Sequence, residues 1–136
     1  MTSAVSQKSL WIGRGLSAIA VLFLLFDSAI KVVGIPPVVE SFTRLGIPVT
    51  LSRGIGVLEL ACLAVYVIPR TAIPGAILLT GFLGGAILAH VRVGDPLFSH
   101  ILFPTYIGAF LWGGLLLRRR LRGLVLDLTA PSTSHP

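Results

Sequence analysis

The sequence predicts an all-α protein, a polytopic membrane four-helix bundle with a short interfacial helix between spans 1 and 2. Three observations predict it. Four apolar stretches, at 10–33, 48–68, 72–91 and 101–117, are each near the ~20 residues an α-helix needs to cross a bilayer. Charged residues make up 12% of the chain, about half the share usual in soluble domains, and the mean hydropathy is +0.94. A soluble domain of 136 residues could not hide 54% apolar residues in a core, so lipid must solvate much of the surface. The length suits one membrane unit, at 10–124, between a polar N-terminus at 1–9 and a polar tail at 125–136. Both ends are expected to be disordered.

Span 1 opens at Leu10 and Trp11, with the indole at interface depth, and stops before Gly34-Ile35-Pro36-Pro37, where two prolines end a helix firmly. Residues 37–45 are too polar to span. Val39, Phe42 and Leu45 recur every three residues, which suits a helix lying in the interface, and Glu40 and Arg44 stand at i,i+4, the spacing of a weak solvated pair. Pro48 opens span 2, which closes at Ile68-Pro69-Arg70. The next link is so short that spans 2 and 3 must form a tight antiparallel hairpin. In span 3, Gly81, Gly85 and Ala89 make a small-residue stripe at i,i+4, read as a place where another helix approaches closely. Gly94-Asp95-Pro96 makes the turn after span 3, and span 4 begins near Ile101 with Pro104 close to its start.

Composition and motifs exclude several function classes. The net charge of +6 does not point to nucleic acid, because Arg118, Arg119, Arg120 and Arg122 directly follow the last apolar stretch without interleaved aromatics. Such a cluster is a cytoplasmic membrane flank. With both termini inside, seven Lys and Arg fall on the inner side (Lys8, Arg14, Arg70 and the four just named) and four on the outer (Lys31, Arg44, Arg53, Arg92), so the N-in, C-in orientation is expected. The first apolar stretch is too long for the core of a cleavable signal peptide. Cys62 is alone, so a thiol oxidoreductase working with its own cysteine pair is excluded. No Ser–His–Asp order, phosphate-binding loop or dinucleotide fingerprint is present, and no catalytic residue is assigned.

Alternating spans bring Asp27, Lys31, Arg53, His90, Arg92 and His100 toward the outer end of the bundle, with Glu59 about two turns, or ~9 Å, deeper than Arg53. Ionisable residues at membrane depth are costly, and their gathering marks a candidate site. Each also has a plainer reading. Asp27 and Lys31, at i,i+4, make a structural ion pair; Lys31, Arg53 and Arg92 snorkel to headgroups. Glu59 needs a partner or a proton, with Arg53 or a facing helix as its plain partner. A His at a span end is commonly structural, and haem or metal ligation by His90 and His100 is disfavoured because no His-x-x-x-His spacing supports it. No metal is expected.

Phe26-Asp27-x-x-x-Lys31, Pro36-Pro37-Val38-Val39-Glu40, Leu45-Gly46-Ile47-Pro48, Glu59-Leu60, Tyr66-Val67-Ile68-Pro69-Arg70-Thr71, the run from Gly75 to Ala86, His90-Val91-Arg92 and Leu102-Phe103-Pro104 resemble the DoxX-like family of small four-helix membrane proteins, over about 10–124. One departure is visible: the family often carries an acidic residue after the fourth helix, where this chain has Arg119. The resemblance implies a bacterial inner-membrane protein. It also implies a redox context, since named DoxX proteins belong to complexes that pass electrons to quinone, including thiosulfate:quinone oxidoreductase. The leading expectation is a quinone-associated redox membrane subunit, with quinone as ligand and a redox subunit or a second copy as partner. A non-catalytic membrane scaffold and a small proton-coupled transporter stand as alternatives.

Overall fold

The computed structural model describes residues 2–129, with side chains described over 7–119. Five α-helices follow one another: α1 (Thr2–Val33), α2 (Pro36–Arg44), α3 (Ser52–Val67), α4 (Ala72–Arg92) and α5 (Phe103–Thr129). A 3-10 turn, Val49–Leu51, leads into α3, and a π-helical turn, Leu97–Ile101, leads into α5. No strand occurs among the described residues. Four segments are long and apolar enough to cross a membrane: Gln7–Val33, Val49–Val67, Ala72–Arg92 and Leu97–Arg119. The helices overrun both ends expected to be disordered, since α1 begins at Thr2 and α5 reaches Thr129. The rest of those ends, Met1 and 130–136, lies outside the described residues.

The four long helices close into a ring. α1 packs on α3 and α5, and α4 packs on the same two, so α1 and α4 stand diagonally opposite. Leu24, Leu79, Leu111 and Leu115 fill the centre with Cys62, Leu63 and Tyr66. Cys62 is a free, buried thiol among apolar neighbours. Large apolar side chains such as Leu22, Phe26, Leu88 and Leu116 face outward, as lipid permits and water would not.

The end bearing the α3–α4 link is closed by small residues and hydrogen bonds. A Cβ on Gly114 would strike the Gly13 carbonyl, so α1 and α5 touch backbone to backbone there. A Cβ on Gly75 would strike the Tyr66 backbone, which fixes the α3–α4 hairpin. The Tyr66 hydroxyl donates to the Leu111 carbonyl at 2.8 Å, and the Ser17 hydroxyl then donates to it at 3.0 Å. Three helices are joined through one buried oxygen.

Local chemistry sets the connections. Gly34 ends α1 at φ +73°, a left-handed conformation that favours glycine, and Pro36 and Pro37 open α2, where their missing N–H groups cost nothing. The buried stripe of α2 is Val38 and Phe42, continued by Leu45; Val39 is exposed. The expected three-residue rhythm was therefore one position off at its start, because i,i+4,i+7 follows the 3.6-residue turn better. Glu40 is exposed, and Arg44 reaches Asp95 instead of pairing with it. In the π turn, Ile101 and Leu102 donate to carbonyls five residues back. Pro104 has no N–H for the His100 carbonyl, which leaves room for this wider turn.

Candidate functional site

At the α2 end the helices part around a cavity of about 480 Å³. α1 contributes Asp27 and Lys31, α3 contributes Glu59, α4 contributes His90, and the π turn contributes His100. Phe42 and Leu45 of the α2 segment roof it, and Phe23, Phe82, Phe103 and Ile107 supply apolar wall. Five of the seven residues singled out in the sequence thus meet at one cavity. Arg53 and Arg92 do not line it. Arg53 is exposed and donates to the Val32 carbonyl at 3.4 Å, and Arg92 donates to the Leu45 carbonyl, tying the α4 end to the α2 segment.

The innermost feature is an ion triad. Lys31 Nζ lies 2.5 Å from Asp27 Oδ2 and 2.9 Å from Glu59 Oε2. The expected i,i+4 pair is present, and Lys31, not Arg53, is the cation that Glu59 finds. Gly56 makes this reach feasible: a Cβ there would stand 2.8 Å from the Ser28 carbonyl and 3.0 Å from Lys31 Cβ, so α1 and α3 approach closely only because that side chain is absent. Lys31 also stands 5.3 Å from the centre of the Phe82 ring, within cation–π range. Glu59 is fully buried, and its Oε1 has no hydrogen-bond partner among the described residues. Glu59 lies eight residues before the end of α3, about 12 Å from the hairpin turn, so this oxygen sits near mid-span.

A second cluster stands at the rim. His90 Nδ1 lies 2.5 Å from Asp95 Oδ2, while Arg44 bonds Asp95 Oδ1. Asp95 follows α4, outside the spans. The hydrogen bond from His90 holds its carboxyl below the ordinary value of 3.8, with the charge on Arg44 acting the same way against the effect of burial. With Nδ1 committed to Asp95, the nitrogen His90 leaves for a ligand is Nε2. His100 packs edge-on to His90 with ring centres 5.7 Å apart and bonds the Ser99 hydroxyl through Nδ1 at 2.7 Å. Among the described residues no group of three or more His, Cys, Asp or Glu is arranged to hold a metal ion.

Sequence reading missed Asp95 and Arg44. Asp95 looked like turn chemistry in Gly-Asp-Pro, and Arg44 had a nearer carboxylate in Glu40. Asp95 stands five residues beyond His90, and that spacing was the available signal. The small-residue stripe was also misread. A Cβ on Gly81 or Gly85 would meet nothing within 4 Å, and both residues line the cavity. The close helix contacts fall instead at Gly13, Gly56, Gly75 and Gly114.

These features define an integral membrane protein of four spans, with a polar site of small-molecule size set into one end of its bundle. The chain belongs to the DoxX-like family, whose model matches residues 15–114 and so includes every residue of the cavity. Nothing among curated proteins or solved structures matches it.

Proposed function

We propose that the chain is a quinone-associated redox membrane subunit whose cavity receives the quinone headgroup. One observation carries the reading: Glu59 is wholly buried on the cavity wall with one carboxyl oxygen unpartnered among the described residues. Such an oxygen costs about 1–3 kcal/mol while unsatisfied, so a ligand that completes it is favoured. A bound quinone would supply the redox chemistry, taking up two electrons and two protons as its carbonyls become hydroxyls.

The residues suit both forms. Ionised, Glu59 Oε1 accepts from a hydroxyl; protonated, the same carboxyl donates to a carbonyl. With every member charged, Asp27, Lys31 and Glu59 together carry a formal charge of −1. One proton on either carboxyl makes the triad neutral, which lowers the cost of holding it in hydrocarbon. His90 meets the opposite side of the ligand through Nε2, as acceptor when neutral and as donor when charged. Lys31 stabilises negative charge developing on a ligand oxygen. Cys62 has no second cysteine to form an intrachain redox pair, so electrons come from a partner redox subunit.

The same reading places the chain in the bacterial inner membrane with both termini cytoplasmic, supported by Arg14, Arg70, Arg118 and Arg119 at the end away from the cavity. Titration of a long-chain benzoquinone into protein in lipid nanodiscs tests the headgroup site. Glu59→Gln and His90→Ala should each weaken binding about 5- to 10-fold, the worth of one hydrogen bond. Equal affinity in His90→Ala removes His90 from the role, and a wild type without saturable binding rejects the proposal.

A further inference from the structure

The cavity has an opening that headgroup binding alone does not use. α3 and α4 are pressed together at Gly75, where a Cβ would strike the Tyr66 backbone, and beyond it the cavity is lined by Ile55 and Glu59 of α3 and by Gly81, Gly85 and Ala86 of α4. At Gly81 and Gly85, nearly two and nearly three turns nearer the opposite end, a Cβ meets nothing within 4 Å among the described residues. Both glycines are exposed and both line the cavity, so the cavity surface continues onto the outside of the bundle at this point. Gly81 lies nine residues into α4, about 13 Å from the hairpin turn. Glu59 lies at almost the same depth on α3. The medium outside the bundle there is hydrocarbon.

We infer that Gly81 and Gly85 floor a lateral slot between α3 and α4, through which the apolar tail of a membrane-dissolved quinone leaves the cavity for the bilayer while its ring stays against Glu59. The inference rests on the headgroup reading above for the ring, and adds the route and the tail. Two independent features meet at one depth. The unpartnered Glu59 oxygen calls for a polar group inside, and the glycine floor admits only something apolar from the side. A water-borne ligand satisfies the first and not the second. A Cβ added at either glycine meets nothing among the described residues, so side chains placed there enter the slot without striking the helix contacts within this chain.

The test measures the affinity of two benzoquinones with the same ring, one tailless and one with a long isoprenoid tail, for wild type, Gly81→Leu and Gly85→Leu in nanodiscs. Wild type should bind the tailed molecule more tightly. Each leucine should weaken the tailed molecule at least tenfold and the tailless one less than threefold, with Gly81→Ala and Gly85→Ala giving smaller losses in the same order should a leucine variant fail to fold. Unchanged tailed affinity, or equal loss for both molecules, overturns the slot. Absence of binding by either ring in wild type rejects the headgroup reading, and the slot is then read with a nitroxide-labelled fatty acid. An immobilised spectral component that disappears in Gly85→Leu supports it; no such component, or one unchanged by the substitution, overturns it.

Discussion

The two ends of this bundle are built from the same residue types and use them differently. At the hairpin end, glycines at 13, 75 and 114 let backbones touch, and the buried Tyr66 hydroxyl finds both an acceptor and a donor. Toward the α2 end, Gly56 likewise lets α1 and α3 close, but a Cβ on Gly81 or Gly85 would meet nothing within 4 Å among the described residues, and the buried Glu59 keeps one oxygen without a hydrogen-bond partner among them. A small residue in a membrane helix is thus a permission and not an instruction. It allows a neighbour to come close, and where none comes it leaves space. The hairpin end is satisfied within the chain, and the α2 end is where binding is proposed.

Substitutions can break or sharpen that contrast. The largest effect is expected at the triad. Lys31→Ala strands the carboxyls of Asp27 and Glu59, and removing one partner of a buried ion group costs about 3–5 kcal/mol. Adding Asp27→Asn and Glu59→Gln to it should restore most of the loss, as read by unfolding in mixed detergent. Next come the tight glycines. Gly114→Val should destabilise the bundle by about 1–3 kcal/mol through overpacking, whereas Gly85→Ala should be neutral or stabilise by about 0.5–1 kcal/mol, since alanine is the better helix residue and finds room. If both glycines responded alike, the two ends would not differ as described. Tyr66→Phe removes the bonds to Leu111 and Ser17 and should cost about 1 kcal/mol.

The smallest effect concerns the rim. Asp95 has its carboxyl held below the ordinary 3.8 by His90. A group depressed in the folded state contributes stability that is complete above its unfolded value and lost as pH falls through its folded one. Arg44, His90 and His100 are the groups that face it. Loss of wild-type stability below about pH 3.8 should therefore be blunted in Asp95→Asn, measured by thermal melts across pH. A superimposable acid limb in the two proteins would show that the rim cluster does not bear on folding.

Much of the architecture was legible in the chain because lipid imposes strict terms. Apolar runs near 20 residues, bounded by Gly34 and Pro36 or by Ile68-Pro69-Arg70, leave few alternatives. Asp27 and Lys31 were legible as a pair because i,i+4 spacing on one helix fixes proximity. Partners on different elements were not. Arg44 looked toward Glu40 and found Asp95, and Glu59 had Arg53 six residues away and took Lys31 from another helix. Those choices turn on helix rotation and distance of closest approach, which one chain's periodicity does not report.

The sequence by itself determined the number of spans, their order, the short helix between the first two, and the end of the bundle to which its ionisable residues gather. Hydrophobic length and helical period are local properties, so they survive without coordinates. Only the tertiary structure decided which glycines stand at close helix contacts and which do not, and that Glu59 Oε1, beside a cavity, has no hydrogen-bond partner among the described residues. These depend on how far apart two packed helices stand, a quantity set by every residue between them at once.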